Sequence, residues 1–423
     1  MLKRDLRAPA VLAMLALAGC STSSGTPVAT TAPAIATTAG AAGGPALRVR
    51  DVLSPAQLSG PNFQVADEVN NDGFLNYYTV HIRQPEAMLE VAGTELLLVR
   101  LDELDAVAKL QETKKRDTFT TAAKNAALGP FRFARDLVTA PGETLSSTAS
   151  GIGSYAQNVG HALFGTAGAG EEGALKTAIG FASAKRALAQ KMNVDPYSTN
   201  PLLQQELDEV AWTAFAGGMA VNLGFGALPD RAGLAAKGTG MSNRLSQTLR
   251  DNAPAELADL NEGKLRAMGV GNAATQALMQ NTSYTPTDRT RLVAALEQLD
   301  GVADREALVE WAATAPRSEV AFLMARHAEM LAGYDARVAP LARFVRRGGR
   351  ALPLTRAGQL VAAFPVDYVT WSERLQTAVA AAGEGVPGKQ FWITGRFDPT
   401  ARAQLEAAGW TLHEQAGPQL AAP

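Results

Sequence analysis

Cys20 is the only cysteine in this 423-residue chain. No intramolecular disulfide can form, so whatever folds here must be held by packing alone. The composition permits that: 47% of residues are hydrophobic and 19% charged, the balance of a globular chain. The length suffices for two or three domains. A formal charge of −2 exerts no general pull on nucleic acid or anionic lipid. The histidines, His81, His161, His327 and His413, lie far apart, without local metal-ligand spacing.

Residues 1–19 read as an export signal. Lys3, Arg4 and Arg7 make a basic start, and "APAVLAMLALAG" is an apolar run too short to span a bilayer core of roughly 30 Å. Small residues then lead to Cys20. Leu17-Ala18-Gly19-Cys20 resembles the lipobox of bacterial lipoproteins. The resemblance implies cleavage after Gly19, diacylglycerol on the Cys20 sulfur and acylation of the new N-terminus. Two or more acyl chains, palmitate among them, anchor stably where one holds only marginally. A thioether-linked Cys20 is no longer a nucleophile or metal ligand. Ser21 in place of Asp implies, by the family's sorting rule, an outer-membrane lipoprotein facing the periplasm or the cell surface. Residues 20–46 then form a lipidated tether, uncharged and rich in Ser, Thr, Ala, Gly and Pro.

Beyond the tether the pattern predicts an α+β fold. An N-terminal β-hairpin or sheet region opens residues 47–140, a large, mainly α-helical, Gly/Ala-rich region fills 141–345, and a small α/β domain occupies 346–423. In the first region "FQVADEV" and "FLNYYTVHI" flank "NNDG", a hairpin signal, because Asn and Gly accept positive φ. "AMLEVAGTELLLVRL" reads as a strand with its own Gly-centred turn, before a helix that runs from Leu101 to Gln111. In the middle, Asn200 with Pro201 and Thr285 with Pro286 are N-cap pairs that open helices. At the end, "GQLVAAFPVDYV", "KQFWITG" and "WTLHEQ" read as strands around the helices "WSERLQTAVAAAG" and "DPTARAQLEAAG", a β-α-β-α-β order.

Several motifs suggest chemistry. Glu68, Asn70, Asp72 and Gly73 imitate the start of a calcium loop, but the twelfth position is Thr79 rather than Glu, so a turn is expected. Gly383, Gly385, Gly388 and Lys389 imitate a phosphate loop, but a helix precedes and a strand follows, the reverse of what that loop requires. Gly168, Gly170 and Gly173 repeat the pattern with no strand before them. Ser242 lacks the second glycine of a nucleophile elbow. Glu206 and Glu209, with Asp208 beside them, share a helix, and Asp195, Tyr197 and Asn200 lie on a loop where sites often form. Arg343, Arg346, Arg347 and Arg350 could grip phosphate or carboxylate, although an exposed linker accounts for them too. Residues 210–229 carry no charge and are long enough to cross a bilayer, yet four glycines and Asn222 suit a core helix or helix–loop better.

The lipobox, "GTELLLVRLDELDAVAKLQ", "NVDPYSTNPLLQQEL" and "FWITGRFDPTARAQLEAAGW" together resemble a set of uncharacterised proteobacterial lipoproteins, a likeness that brings no activity and no site residues. The expected function is a non-catalytic binding or scaffolding protein of the cell envelope, held by its lipid, with an envelope protein or peptidoglycan as partner and no nucleic acid. No cofactor and no metal ion is expected. The alternatives are an envelope hydrolase or transferase using Asp195, Glu206, Glu209 and Asp367, and a membrane-perturbing protein using the Gly/Ala-rich region.

Overall fold

The computed structural model describes residues 47–125, 171–217 and 243–421. Cys20, the tether, Gly168, Gly170, Ser242 and most of the uncharged run, 218–229, lie outside them. The fold is α+β: an N-terminal sheet, a helical middle and a C-terminal sheet region.

The N-terminal sheet is built around Asn76–Arg83, whose side chains alternate between core and outer face. Phe63–Val65 and Glu68–Asn71 pair antiparallel along one side of it, Glu86–Ala92 along the other. Leu47–Arg48 adds a short rung beside Glu68–Asn71. The turn before the central strand is an aspartate turn: Asp72 Oδ1 accepts the Phe74 and Leu75 N–H groups, and Gly73 takes φ +97°. Asn62 pins the next turn, accepting the Gln84 N–H at 2.8 Å and donating to the Gln84 carbonyl at 2.6 Å.

The strand expected through "AMLEVAGTELLLVRL" stops at Ala92, and Thr94–Lys114 is one long helix. Gly93 turns the chain at φ +91°, and Leu97, Leu101 and Leu104 share the buried side. The helix has no local cap. Its first N–H, on Thr94, is accepted by Asp367, 273 residues away, at 3.1 Å.

In the middle, Thr94–Lys114 and Glu171–Lys191 both pack on Pro201–Ala216. The expected caps are present: Asn200 accepts the Leu202 N–H at 3.1 Å, and Thr285 accepts the Asp288 N–H at 3.0 Å. Pro286–Gln298 lies along Ser318–Arg337, the most deeply buried helix. Buried residues from Val49 to Leu420 form one hydrophobic cluster, so the regions share a core.

The C-terminal sheet has the strand order Trp410–His413, Lys389–Ile393, Leu360–Phe364, Arg350–Thr355, Leu341–Arg347. The first three are parallel and joined by the expected helices, Glu373–Gly383 and Pro399–Ala407; Ser372 and Asp398 cap them. The last two form an antiparallel hairpin whose turn, Gly348-Gly349, has φ +52° and +75°. "RFVRRGGR" is therefore strand and turn rather than a linker. The strand Leu341–Arg347 straddles the boundary expected at 345/346. Ser318–Arg337 covers one face, where Tyr334 meets the Trp392 ring edge-on at 5.6 Å and donates to Gln390 at 3.0 Å.

Candidate functional site

Asp195 lies on the loop between Glu171–Lys191 and Pro201–Ala216. Its Oδ1 accepts the Tyr197 N–H at 2.8 Å and the Thr287 hydroxyl at 2.5 Å. Burial pushes its carboxyl up to about 7, helped by the negative charges of Asp288 and Glu103. Beside it, buried Glu103 accepts from Arg100 at 2.8 Å, from Asn200 at 3.0 Å and from the Ser198 hydroxyl. The same Arg100 donates to Ser198 at 2.9 Å. The loop that sequence marks as a possible site is thus sewn onto the Thr94–Lys114 helix.

Glu206 and Glu209 meet on one cation. Lys114 lies 2.7 Å from Glu206 and 2.6 Å from Glu209, and Gln111 donates to Glu206 at 3.1 Å. Burial raises the Glu206 carboxyl despite Lys114. Asp208 points elsewhere, to Lys185 at 2.6 Å. Asp367 follows the strand Leu360–Phe364 and accepts the Asn76 N–H at 2.8 Å in addition to Thr94. Burial lifts its carboxyl to about 7 as well. The structure therefore brings Glu206 and Glu209 together and leaves Asp195 and Asp367 in two other places.

A larger ionic cluster has no counterpart in the sequence reading. Arg326, 2% exposed, reaches Glu95 at 2.7 Å and also contacts Glu329. Arg291 grips Glu329 with two nitrogens, at 2.7 and 2.9 Å, and stands 3.8 Å from Asp288. Burial alone would raise the Glu329 carboxyl, but the two guanidiniums bring it down to about 2. This cluster ties the Thr94–Lys114 helix to the two central helices. Only its Arg291–Asp288 and Arg326–Glu329 legs, each three residues apart, carry a helical spacing a reader could notice.

His327 is wholly buried. Its Nδ1 bonds the Ala363 carbonyl, its ring stacks on Phe364 at 4.9 Å, and Trp311 meets it edge-on at 5.3 Å. Burial lowers its pKa to about 4, so the neutral ring donates Nδ1–H to the carbonyl. It is a core residue holding a helix to the sheet.

The remaining motifs resolve into local structure. Asp72 serves the turn and accepts the Tyr77 hydroxyl at 2.9 Å. Gly383–Gly388 ends a helix and leads into a strand, and Lys389 donates to the Ala408 carbonyl at 2.8 Å. The arginines do not converge: Arg346 pairs with Glu310, Arg347 donates to the Glu384 carbonyl at 3.0 Å, and Arg350 is buried. A shallow depression between Arg186, Gln190, Val194, Pro196, Ser246, Leu249 and Arg250 has none of the four suspected acids in its wall. Among the described residues, no three His, Cys, Asp or Glu side chains gather as a metal site would require.

No protein-family model, curated protein or solved structure matches the chain.

Proposed function

We propose that this chain is a lipid-anchored protein of the bacterial envelope that works by binding rather than by turnover. The observation that carries the second half is where the suspected acids go. Asp195 is held by Thr287 and Tyr197, Glu206 and Glu209 by Lys114, and Asp367 by the backbone of Asn76 and Thr94. Hydrolysis by a carboxylate pair, as in glycosidases, asks two carboxyl groups to face one substrate. These acids instead face their own chain, in three places.

The anchoring half rests on Leu17–Cys20 and the uncharged tether that follows. Among the described residues, no helix is long and apolar enough to cross a membrane. The uncharged run begins inside Pro201–Ala216, where Val210, Ala211, Thr213 and Ala214 are buried against other helices. That placement favours a core role for its first turns over membrane insertion.

Metabolic labelling with an alkynyl fatty acid tests the anchor. The wild-type chain should take up label and sediment with outer membranes, and Cys20→Ser should do neither. An unlabelled wild-type chain would end the anchoring proposal.

A further inference from the structure

We infer that the strand Glu86–Ala92 is a docking edge for an extended, basic peptide segment of an envelope partner. This edge extends the binding reading above, and its test does not depend on the anchor.

The strand pairs with Asn76–Arg83 along its whole length, from Ala92 opposite Tyr77 to Glu86 opposite Arg83. The Gly93 N–H bonds the Asn76 carbonyl, which sets the alternation of the ladder. Ala87, Leu89 and Val91 therefore turn their backbone groups inward, and Glu86, Met88, Glu90 and Ala92 turn theirs outward. Among the described residues, no strand pairs with this outer side, and the outward groups of Glu86, Met88 and Ala92 meet no partner. At about 3.4 Å per residue the edge is roughly 24 Å long, long enough for a peptide to add as a further strand.

Side chains indicate what kind of strand fits. Glu86, Met88 and Glu90 are exposed on the outer face, with Met88 47% exposed between the two acids. Leu89 and Val91 face the core and fix the register. An arriving strand with Lys or Arg at alternate positions would set a cation against Glu86 and an aliphatic stem against Met88. A second copy fits badly: antiparallel pairing centred on Met88 places Glu86 opposite Glu90 twice, and like charges directly opposite repel.

The probe is a nonapeptide of alternating lysine and valine, with a glutamate–valine peptide as control, added to the full chain. Binding is read by fluorescence anisotropy and by hydrogen exchange at the Met88 amide. The lysine peptide should bind and slow that exchange, and the glutamate peptide should bind at least tenfold more weakly. Met88→Pro removes an outward N–H that the ladder does not use, so it should keep the fold and lose at least tenfold in affinity. Glu86→Lys should weaken binding similarly, and it decides the matter if the proline variant fails to fold. Equal binding of both peptides, failure of the lysine peptide to bind, or unaltered affinity in the folded variants would overturn the inference. So would dimerisation of the chain that Met88→Pro abolishes, because it would give the edge to a second copy. None of these results bears on fatty-acid labelling, so the edge and the anchor fail separately.

Discussion

Glu329→Gln perturbs the ionic cluster at its centre while almost preserving volume. Glu329 accepts from both Arg291 and Arg326, and those guanidiniums hold its carboxyl at about 2 against an ordinary 4.5. A shift of that size corresponds to about 3 kcal/mol at neutral pH, since each unit is worth about 1.4 kcal/mol. An independent argument agrees: removing one member of a buried ion pair typically costs about 3–5 kcal/mol, because the other charge is left uncompensated. The sign of the pH dependence follows from the lowered pKa. The stabilisation is complete above the unfolded value and is lost as pH falls toward the folded one. At pH 3 the difference between wild type and variant should shrink to roughly 1 kcal/mol. Urea unfolding followed by circular dichroism, at pH 7 and pH 3, measures both numbers. A loss below about 1 kcal/mol at pH 7, or a gap that does not narrow at pH 3, would refute the assignment of this cluster to structural support.

Asp195 has the opposite sign, because its folded pKa is raised to about 7. Its contribution is full below the unfolded value of 3.8 and falls as pH rises from there through 7; Asp195→Asn, which keeps an oxygen for Thr287 and Tyr197, should therefore unfold at higher urea than wild type at pH 8, with a smaller gap at pH 5 and none at about pH 3. Asp367→Ala should cost about 1–2 kcal/mol through the lost cap and raise hydrogen exchange at the Thr94 amide more than at mid-helix positions. Gly395→Ala should be among the most disruptive single changes, since a Cβ there would sit 1.7 Å from the Asp367 carbonyl oxygen; a melting temperature within a degree of wild type would contradict it.

Local signals in the sequence were enough for much of the fold. Asn200-Pro201, Thr285-Pro286 and Asp398-Pro399 start helices because a cap and its proline act within three residues. The β-α-β-α-β order at the end was legible for the same reason: Gly409, at φ +81°, ends one helix and Ser372 starts another. "TELLLVRL" is ambiguous because four leucines and a valine in six positions suit strand or helix alike, and the cap that decides between them is Asp367, far away in the chain. The hairpin at "RFVRRGGRALPLT" carries its own local signal, since Gly-Gly between two strand-like runs is a two-residue turn. Of the four suspected acids, only the shared helix face of Glu206 and Glu209 is legible in the sequence. Glu95 and Arg326 are 231 residues apart, and Asp195 and Thr287 are 92 apart, so only tertiary packing brings them together.

This chain is proposed to be held at the envelope by its lipid and to act there by binding. Site-specific photocrosslinking in the producing bacterium tests it most directly. A photoreactive residue is placed in turn at exposed positions such as Glu68, His81 and Met88, in the wild-type and Cys20→Ser backgrounds. One reproducible adduct with an envelope component is expected, strongest from Met88 and lost with Cys20→Ser. The absence of any reproducible adduct from every position, with the chain present at normal abundance, would contradict it.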